Sequence, residues 1–329
     1  MDTQLSEQQI IHYLKSHQKA KVNELWRELG FSRQLVQRKL KEMVLSGIVE
    51  KSGKPPLVFY YLKAIEQKKE FPNVSLDLVD FINKFYLYVS PLGELVYGFN
   101  GFSKWVDSIN ESKRIKELSQ EYKHTIEESQ KYFDKNGFVN ATEKIKNTFS
   151  ETFLDSVYYL DFYSLPKFGK TKLGQLVLYS KQAQKYELIR ALSTETKPRI
   201  EDLIKAENIN AISFIPPTVP RNVQFIKELE KMLNINLPKI HLSKAYVGSI
   251  PVAQKTLSRL EERVKNASRT IFVNQSARYQ RVLLIDDAVG SGASLNETAK
   301  KLKSEGLAKT VVGFAIVGSY KGFDVIREV

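Results

Sequence analysis

Two adjacent carboxylates, Asp286 and Asp287, close the apolar run VLLI and are followed by AVGSGAS, residues 288–294. Gly290 and Gly292 carry no side chains, so several backbone N–H groups can turn toward one point, and a polar helix start follows at once. Such a turn cradles a phosphate with amide donors and the positive end of a helix. Ser291 and Ser294 can add hydroxyl donors. The two carboxylates would repel a phosphate at contact distance. A little further away they can accept hydrogen bonds from sugar hydroxyls or hold Mg²⁺ through water. Sugar hydroxyls beside a 5′-phosphate describe a ribose 5-phosphate. The plainer alternative is an ordinary strand-to-helix turn whose acids cap the helix.

The elements that must position this turn are legible on either side of it. AISFIPP, LPKIHLSKAY, RVLLIDD and TVVGFAIVG read as strands, and VQFIKELEKML and ASLNETAKKLKSEG as amphipathic helices between them. Apolar strands interleaved with helices predict a parallel sheet covered on both faces. Ligands of such sheets bind beyond the carboxyl ends of the strands, where both aspartates fall. This α/β region is assigned to residues 151–329.

Residues 1–63 form a separate small unit by pattern. SEQQIIHYLKSH predicts a helix with Ser6 as its N-cap, KVNELWRELG a second closed by Gly30, and SRQLVQRKLKEMVLSG a third capped by Ser32. In the third helix Val36, Leu40, Met43 and Val44 share an apolar face, and Gln34, Gln37, Arg38 and Lys41 form an opposite polar and basic stripe. IVE, KSGKPP and LVFYYL then predict a hairpin. The segment carries eleven Lys and Arg against six Asp and Glu. Between the two ends, residues 64–150 predict a linker and a mostly helical middle region without evident chemistry. Its role is to join the ends, with oligomerisation open to it, and Phe99, Phe102 and Trp105 are assigned to core.

Bulk composition narrows the partners. The 329 residues suffice for two or three domains, and the net charge of +13 favours an anionic partner such as nucleic acid, a phosphorylated metabolite or a membrane surface. Without cysteine there are no disulfides, thiolate zinc sites or cysteine nucleophiles, which fits a reducing cytoplasm. No apolar run approaches the ~20 residues that span a bilayer, and MDTQLSEQQ lacks the pattern of a signal peptide. The expectation is a cytoplasmic protein without a membrane partner.

The 286–294 stretch resembles the phosphoribosyl pyrophosphate (PRPP) motif of the type I phosphoribosyltransferases: a hydrophobic strand, two acidic residues, two small residues, then Thr-Thr-Gly-small-Thr. Asp286 and Asp287 match the acidic pair, Ala288 and Val289 the small residues, Gly292 the glycine and Ser294 the last threonine, with Ala293 between. Gly290 and Ser291 stand where the two threonines usually are, and Gly290 removes a hydroxyl while keeping the backbone cradle. Together with FIPPTVPRNVQFIKELEKML and QKTLSRLEERVKNA, with Gln254, Leu257, Arg263 and Asn266 on pattern, residues 170–329 resemble the ComF branch of that family. The usual cysteine zinc ribbon is missing. In its place, residues 1–63 resemble a winged helix-turn-helix domain, a combination similar in architecture to the winged-helix purine repressors.

The resemblance implies a Rossmann-like phosphoribosyltransferase fold that binds PRPP with Mg²⁺. Arg221, and after it Lys244, would contact the pyrophosphate, and Arg263 and Asn266 would lie in a hood over the site. In the winged helix Arg33, Gln34, Gln37 and Arg38 would read bases, with Lys41 on the same stripe, and Lys51 and Lys54 would meet phosphates. A side chain at Gly292 is expected to fill the phosphate cradle without disturbing the core. Whether the chain catalyses transfer stays open. As a transferase it would displace pyrophosphate from C1 of PRPP, with Asp286 and Asp287 as catalytic groups and an unidentified acceptor. The other readings are a PRPP-responsive transcription regulator and a nucleotide-targeting effector of a defence module.

Overall fold

Amphipathic spacing and well-placed caps build the N-terminal part of the chain. In the computed structural model, which describes residues 2–17, 19–45, 48–53, 57–62, 74–90, 93–219, 221–245, 259–274 and 277–320, the chain divides into two units, Met1–Pro72 and Asn73–Val329. The first unit holds α1 (Asp2–His17), α2 (Val22–Leu29), α3 (Arg33–Leu45), β1 (Val49–Ser52) and β2 (Phe59–Leu62). Gly30 ends α2 with a left-handed φ of 68°, a conformation costly for a residue with a Cβ. Ser32 Oγ accepts from the Leu35 N–H at 3.2 Å, as an N-cap should. Ile10, Leu14, Leu25, Val36, Leu40, Met43 and Val49 close the core. β1 and β2 pair antiparallel, and Ala20 bridges to Tyr60 beside them. Ser6 is not a cap: α1 begins at Asp2, and Ser6 is buried inside the helix.

The second unit opens with α4 (Leu76–Phe85), β3 (Leu87–Val89), β4 (Leu95–Tyr97), α5 (Gly98–Ser108), α6 (Ile115–Gln130), β5 (Val139–Asn140) and α7 (Thr142–Lys146). Phe102 is fully buried here, ringed by Tyr86, Trp105, Tyr122 and Phe168. Then follow β6 (Ser156–Phe162), β7 (Ser164–Leu165), β8 (Gly169–Lys170), α8 (Lys172–Ala183), α9 (Tyr186–Ala206), β9 (Ala211–Phe214), α10 (Phe225–Leu233), β10 (Leu242–Lys244), α11 (Leu260–Thr270), β11 (Ile271–Val273), β12 (Tyr279–Val289), α12 (Ala293–Ser304) and β13 (Ala308–Gly318).

The main sheet runs β5-β6-β13-β12-β9. β6, β13, β12 and β9 are parallel, and the short β5 adds an antiparallel edge, so the unit is a mixed α/β structure. β13 is buried along most of its length and β12 through Val282, Leu283, Leu284 and Ile285, as strands covered on both faces must be. Two strands differ from the sequence expectation. SVYYLDF, the strand β6, enters between β13 and β5. LPKIHLSKAY touches the sheet only near Lys239, which bridges Ile212, before β10 leaves to pair antiparallel with β11. Pro238 has no N–H to donate, but its carbonyl accepts from Ile212 at 2.9 Å, so the contact is brief. Among the described residues no helix is long and apolar enough to cross a membrane.

Candidate functional site

The chain leaves β9 toward Lys239 on one side, whereas β12 connects onward to β13 on the other. The carboxyl ends of β9 and β12 therefore flank a topological switch point, where an open α/β sheet leaves a crevice. β9 stops at Phe214, opposite Ile285, while β12 continues through Asp286 and Asp287 to Val289. A pocket of about 260 Å³ occupies that step. All of residues 286–294 line it, with Pro216, Thr218 and Arg221 from the turn after β9, Lys244 from β10, Arg263 from α11 and Lys181 from α8.

The 288–294 turn has the form of a cradle. Gly292 sits at a left-handed φ of 80° at the N-terminus of α12, with no side chain capping the helix. The first residues of α12, 293–295, line the pocket, which places the positive helix end beside it. Ser291 Oγ lies 3.4 Å from the Ala293 N–H as an acceptor. The buried Val289, Ala293 and Leu295 turn into the core, so their part in the pocket wall is mainly backbone. The two glycines differ. A Cβ on Gly290 would find only Arg263 Nη1, at 4.0 Å, and so would enter the pocket. A Cβ on Gly292 would lie 2.5 Å from Ile145 Cδ1, a fully buried atom group of α7. The expected harmless blockade at Gly292 is therefore corrected: that position is closed by core packing, and Gly290 is the one facing the cradle.

Among the described residues four cationic side chains, Lys181, Arg221, Lys244 and Arg263, line the pocket with the two carboxylates, and Lys181 and Lys244 interact with them directly. Lys181 Nζ forms an ion pair with Asp287 Oδ2. Asp286 Oδ1 accepts from the Asp287 N–H at 2.8 Å. Desolvation in the pocket pushes the Asp286 carboxyl up to about 6, against the pull of Lys181 and then Lys244. Burial holds the Lys244 ammonium below its ordinary value, opposed by Asp286, while Lys244 Nζ donates to Thr218 Oγ1 at 2.6 Å. Arg221 Nη1 donates to the carbonyl of Lys181, tying the turn after β9 to the last turn of α8. Arg263 is 6% exposed, and burial lowers its guanidinium from the ordinary value. A pocket with more cations than carboxylates, edged by a helix N-terminus, is suited to a polyanion that also carries hydroxyl groups.

Most sequence-selected residues of this unit come together there: Asp286, Asp287, residues 288–294, Arg221, Lys244 and Arg263. Asn266 lies about one turn beyond Arg263 on α11, outside the pocket lining, with its carbonyl accepting from Thr270. Gln254 and Leu257 lie outside the described residues. Lys181 and Thr218 were not singled out by sequence. Lys181 sits in an unremarkable helix some hundred residues before its partner, and no local pattern marks it.

In the first unit Arg33, Gln34, Gln37, Arg38 and Lys41 are all exposed along α3, and Lys51 is exposed on β1. Arg38 is loosely paired with Glu42 at 4.0 Å. Lys54 lies outside the described residues. Lys19 and Lys21 sit over the Phe59 ring at 5.0 and 4.9 Å, adding cations beside the hairpin that the sequence reading passed over.

No protein-family model matches the chain. Among curated proteins it is similar to the transcriptional regulator GfcR of Methanocaldococcus jannaschii, with 32% identity over 134 residues, 40% of this chain and 54% of the regulator. The chain thus spans about half the length of that curated relative.

Proposed function

We propose that the chain is a nucleic-acid-associated regulator that binds PRPP or a related ribose phosphate in a ComF-like, type I phosphoribosyltransferase fold. The assignment runs from a winged helix-turn-helix domain at 1–63, through a joining region at 64–150, to a phosphoribosyltransferase-like domain at 151–329. The observation that carries the reading is the pocket: one lining brings together a helix N-terminus, a glycine turn, four cationic side chains and two carboxylates. A 5′-phosphate suits the 290–294 amides, ribose hydroxyls suit Asp286 and Asp287, and a pyrophosphate suits the cationic side chains. The exposed basic stripe of α3 supports the nucleic-acid half, as does the similarity to a transcriptional regulator.

Among the described residues no three acidic or histidine side chains gather into a metal site. Mg²⁺ would enter as a counterion carried by the pyrophosphate, with Asp286 and Asp287 meeting it through water. It would neutralise charge on the leaving group if transfer occurs. An active transferase is the second reading, favoured by the carboxylate pair in the same lining as the cationic side chains. The acceptor is unassigned.

Calorimetry with PRPP, with and without Mg²⁺, tests the ligand, and fluorescence anisotropy with duplex DNA tests the partner. Regulation requires that PRPP and DNA change one another's affinity by the same factor, typically ~5–150-fold. PRPP binding without any such coupling would favour the transferase, which should then release pyrophosphate with a suitable base. Absence of PRPP binding to the wild-type protein would end the ligand assignment.

A further inference from the structure

Lys181 occupies the carboxylate a sugar hydroxyl would need. It reaches Asp287 from the last turn of α8, and Arg221 donates to its backbone carbonyl, so the residue that carries the ammonium is itself held at its main chain. Asp287 and Lys181 are both mostly sheltered, with side chains 15% and 24% exposed. Breaking such a pair without compensation leaves two poorly solvated charges, which is costly. A ligand with only hydroxyls would take Asp287 and strand Lys181. A ligand with only an anion would take Lys181 and strand Asp287. A molecule bringing both compensates both charges at once.

We infer that Lys181 is a specificity-determining residue, whose ion pair with Asp287 makes the pocket select ligands carrying a vicinal diol and a diphosphate on one molecule. The pair is a latch: the ligand's hydroxyls replace Lys181 on Asp287, and the released ammonium turns to the diphosphate. Arg221 keeps the end of α8 in place during the exchange. This deepens the ligand assignment and rests on it for the identity of the probes, but the latch itself does not depend on PRPP.

The test uses the full-length protein, Lys181→Met and Asp287→Asn, singly and together. Calorimetry with PRPP, ribose 5-phosphate and inorganic pyrophosphate reads selectivity. In Lys181→Met, PRPP and pyrophosphate should weaken by roughly tenfold to a hundredfold, the range of a charge-assisted hydrogen bond. Ribose 5-phosphate should hold or tighten, because Asp287 is freed. Equal weakening of all three ligands, or no change in any, overturns the proposal. Thermal melting of the four proteins reads the latch without ligand. Each single variant should melt lower than wild type at pH 7, and the double variant should recover part of the loss, because no charge is then stranded. If the melting shifts simply add, there is no latch. Should the wild type bind none of the probes, the PRPP assignment fails, and the melting cycle still decides the ion pair.

Discussion

The molecule carries two concentrations of positive charge that obey different rules. On α3, Arg33, Arg38 and Lys41 stand in water; Glu42 sits 4.0 Å from Arg38, with both side chains more than half exposed, and pairs more closely, at 2.7 Å, with the buried Lys39. Exposed pairs such as Arg38 and Glu42 are screened and contribute little to stability. In the pocket, Lys181, Lys244 and Arg263 share a poorly hydrated space with Asp286 and Asp287, and three of these groups titrate away from their ordinary values. Exposed charges act independently and are available to a large partner such as a nucleic-acid backbone. Sheltered charges are coupled, so changing one alters the cost of the others, and they suit a small ligand that must match several at once.

The strongest test of the contrast is geometric. Gly292→Val forces a β-branched residue into a left-handed conformation and drives its Cβ into Ile145. The expected loss is about 2–5 kcal/mol of stability, from the backbone and overpacking terms together. Gly290→Val should fold with near wild-type melting while losing anion binding, since its side chain enters open pocket. Differential scanning calorimetry beside phosphate titration checks both. Equal destabilisation by the two variants would show that the turn acts as one rigid block.

A smaller effect attaches to Asp286. Its carboxyl titrates near 6 in the folded protein against an ordinary 3.8. Between those values the folded state retains the proton that the unfolded chain has released, so stability falls as pH rises from about 4 to about 6. Above that window the folded protein bears the full cost of the sheltered charge. Asp286→Asn should therefore raise stability at pH 7 by about 1–3 kcal/mol and flatten the pH dependence between 4 and 6. Denaturant melts at pH 4.0 and 7.0 measure it. A destabilised variant at pH 7 would mean that the attraction of Lys181 and Lys244 outweighs desolvation.

The smallest stability effect belongs to α3. Arg38→Ala should change folding by no more than about 0.5 kcal/mol. If Arg38 meets a phosphate, the salt dependence of DNA binding should lose about one counterion; if it reads a base, affinity should fall by roughly 1–3 kcal/mol at the preferred sequence. Anisotropy titrations at two salt concentrations separate these outcomes, and unchanged binding in both would remove Arg38 from the interface.

The division between legible and hidden features follows chain separation. Residues 282–294 encode their structure locally. Four apolar residues make a buried strand, two glycines permit the turn, and ASLNETA begins a helix, so the carboxylates and the cradle can be placed without knowing the rest of the fold. The face of α3 is set in the same way by the spacing of Val36, Leu40 and Met43. SVYYLDF escaped notice because its place between two strands distant in sequence, rather than a clean alternation, makes it a strand. The cationic lining is the extreme case. Lys181, Arg221, Lys244 and Arg263 lie on four separate segments, each ordinary by itself, and only the crossover at β9 and β12 brings them to one point. The same holds for Ile145, whose packing gives Gly292 a structural role that no local pattern could assign. Sequence alone determined where backbone donors and carboxylates adjoin, because neighbours in the chain must be neighbours in space. Tertiary structure decided which cations face them, because burial and coupling depend on segments that meet only when the sheet is assembled.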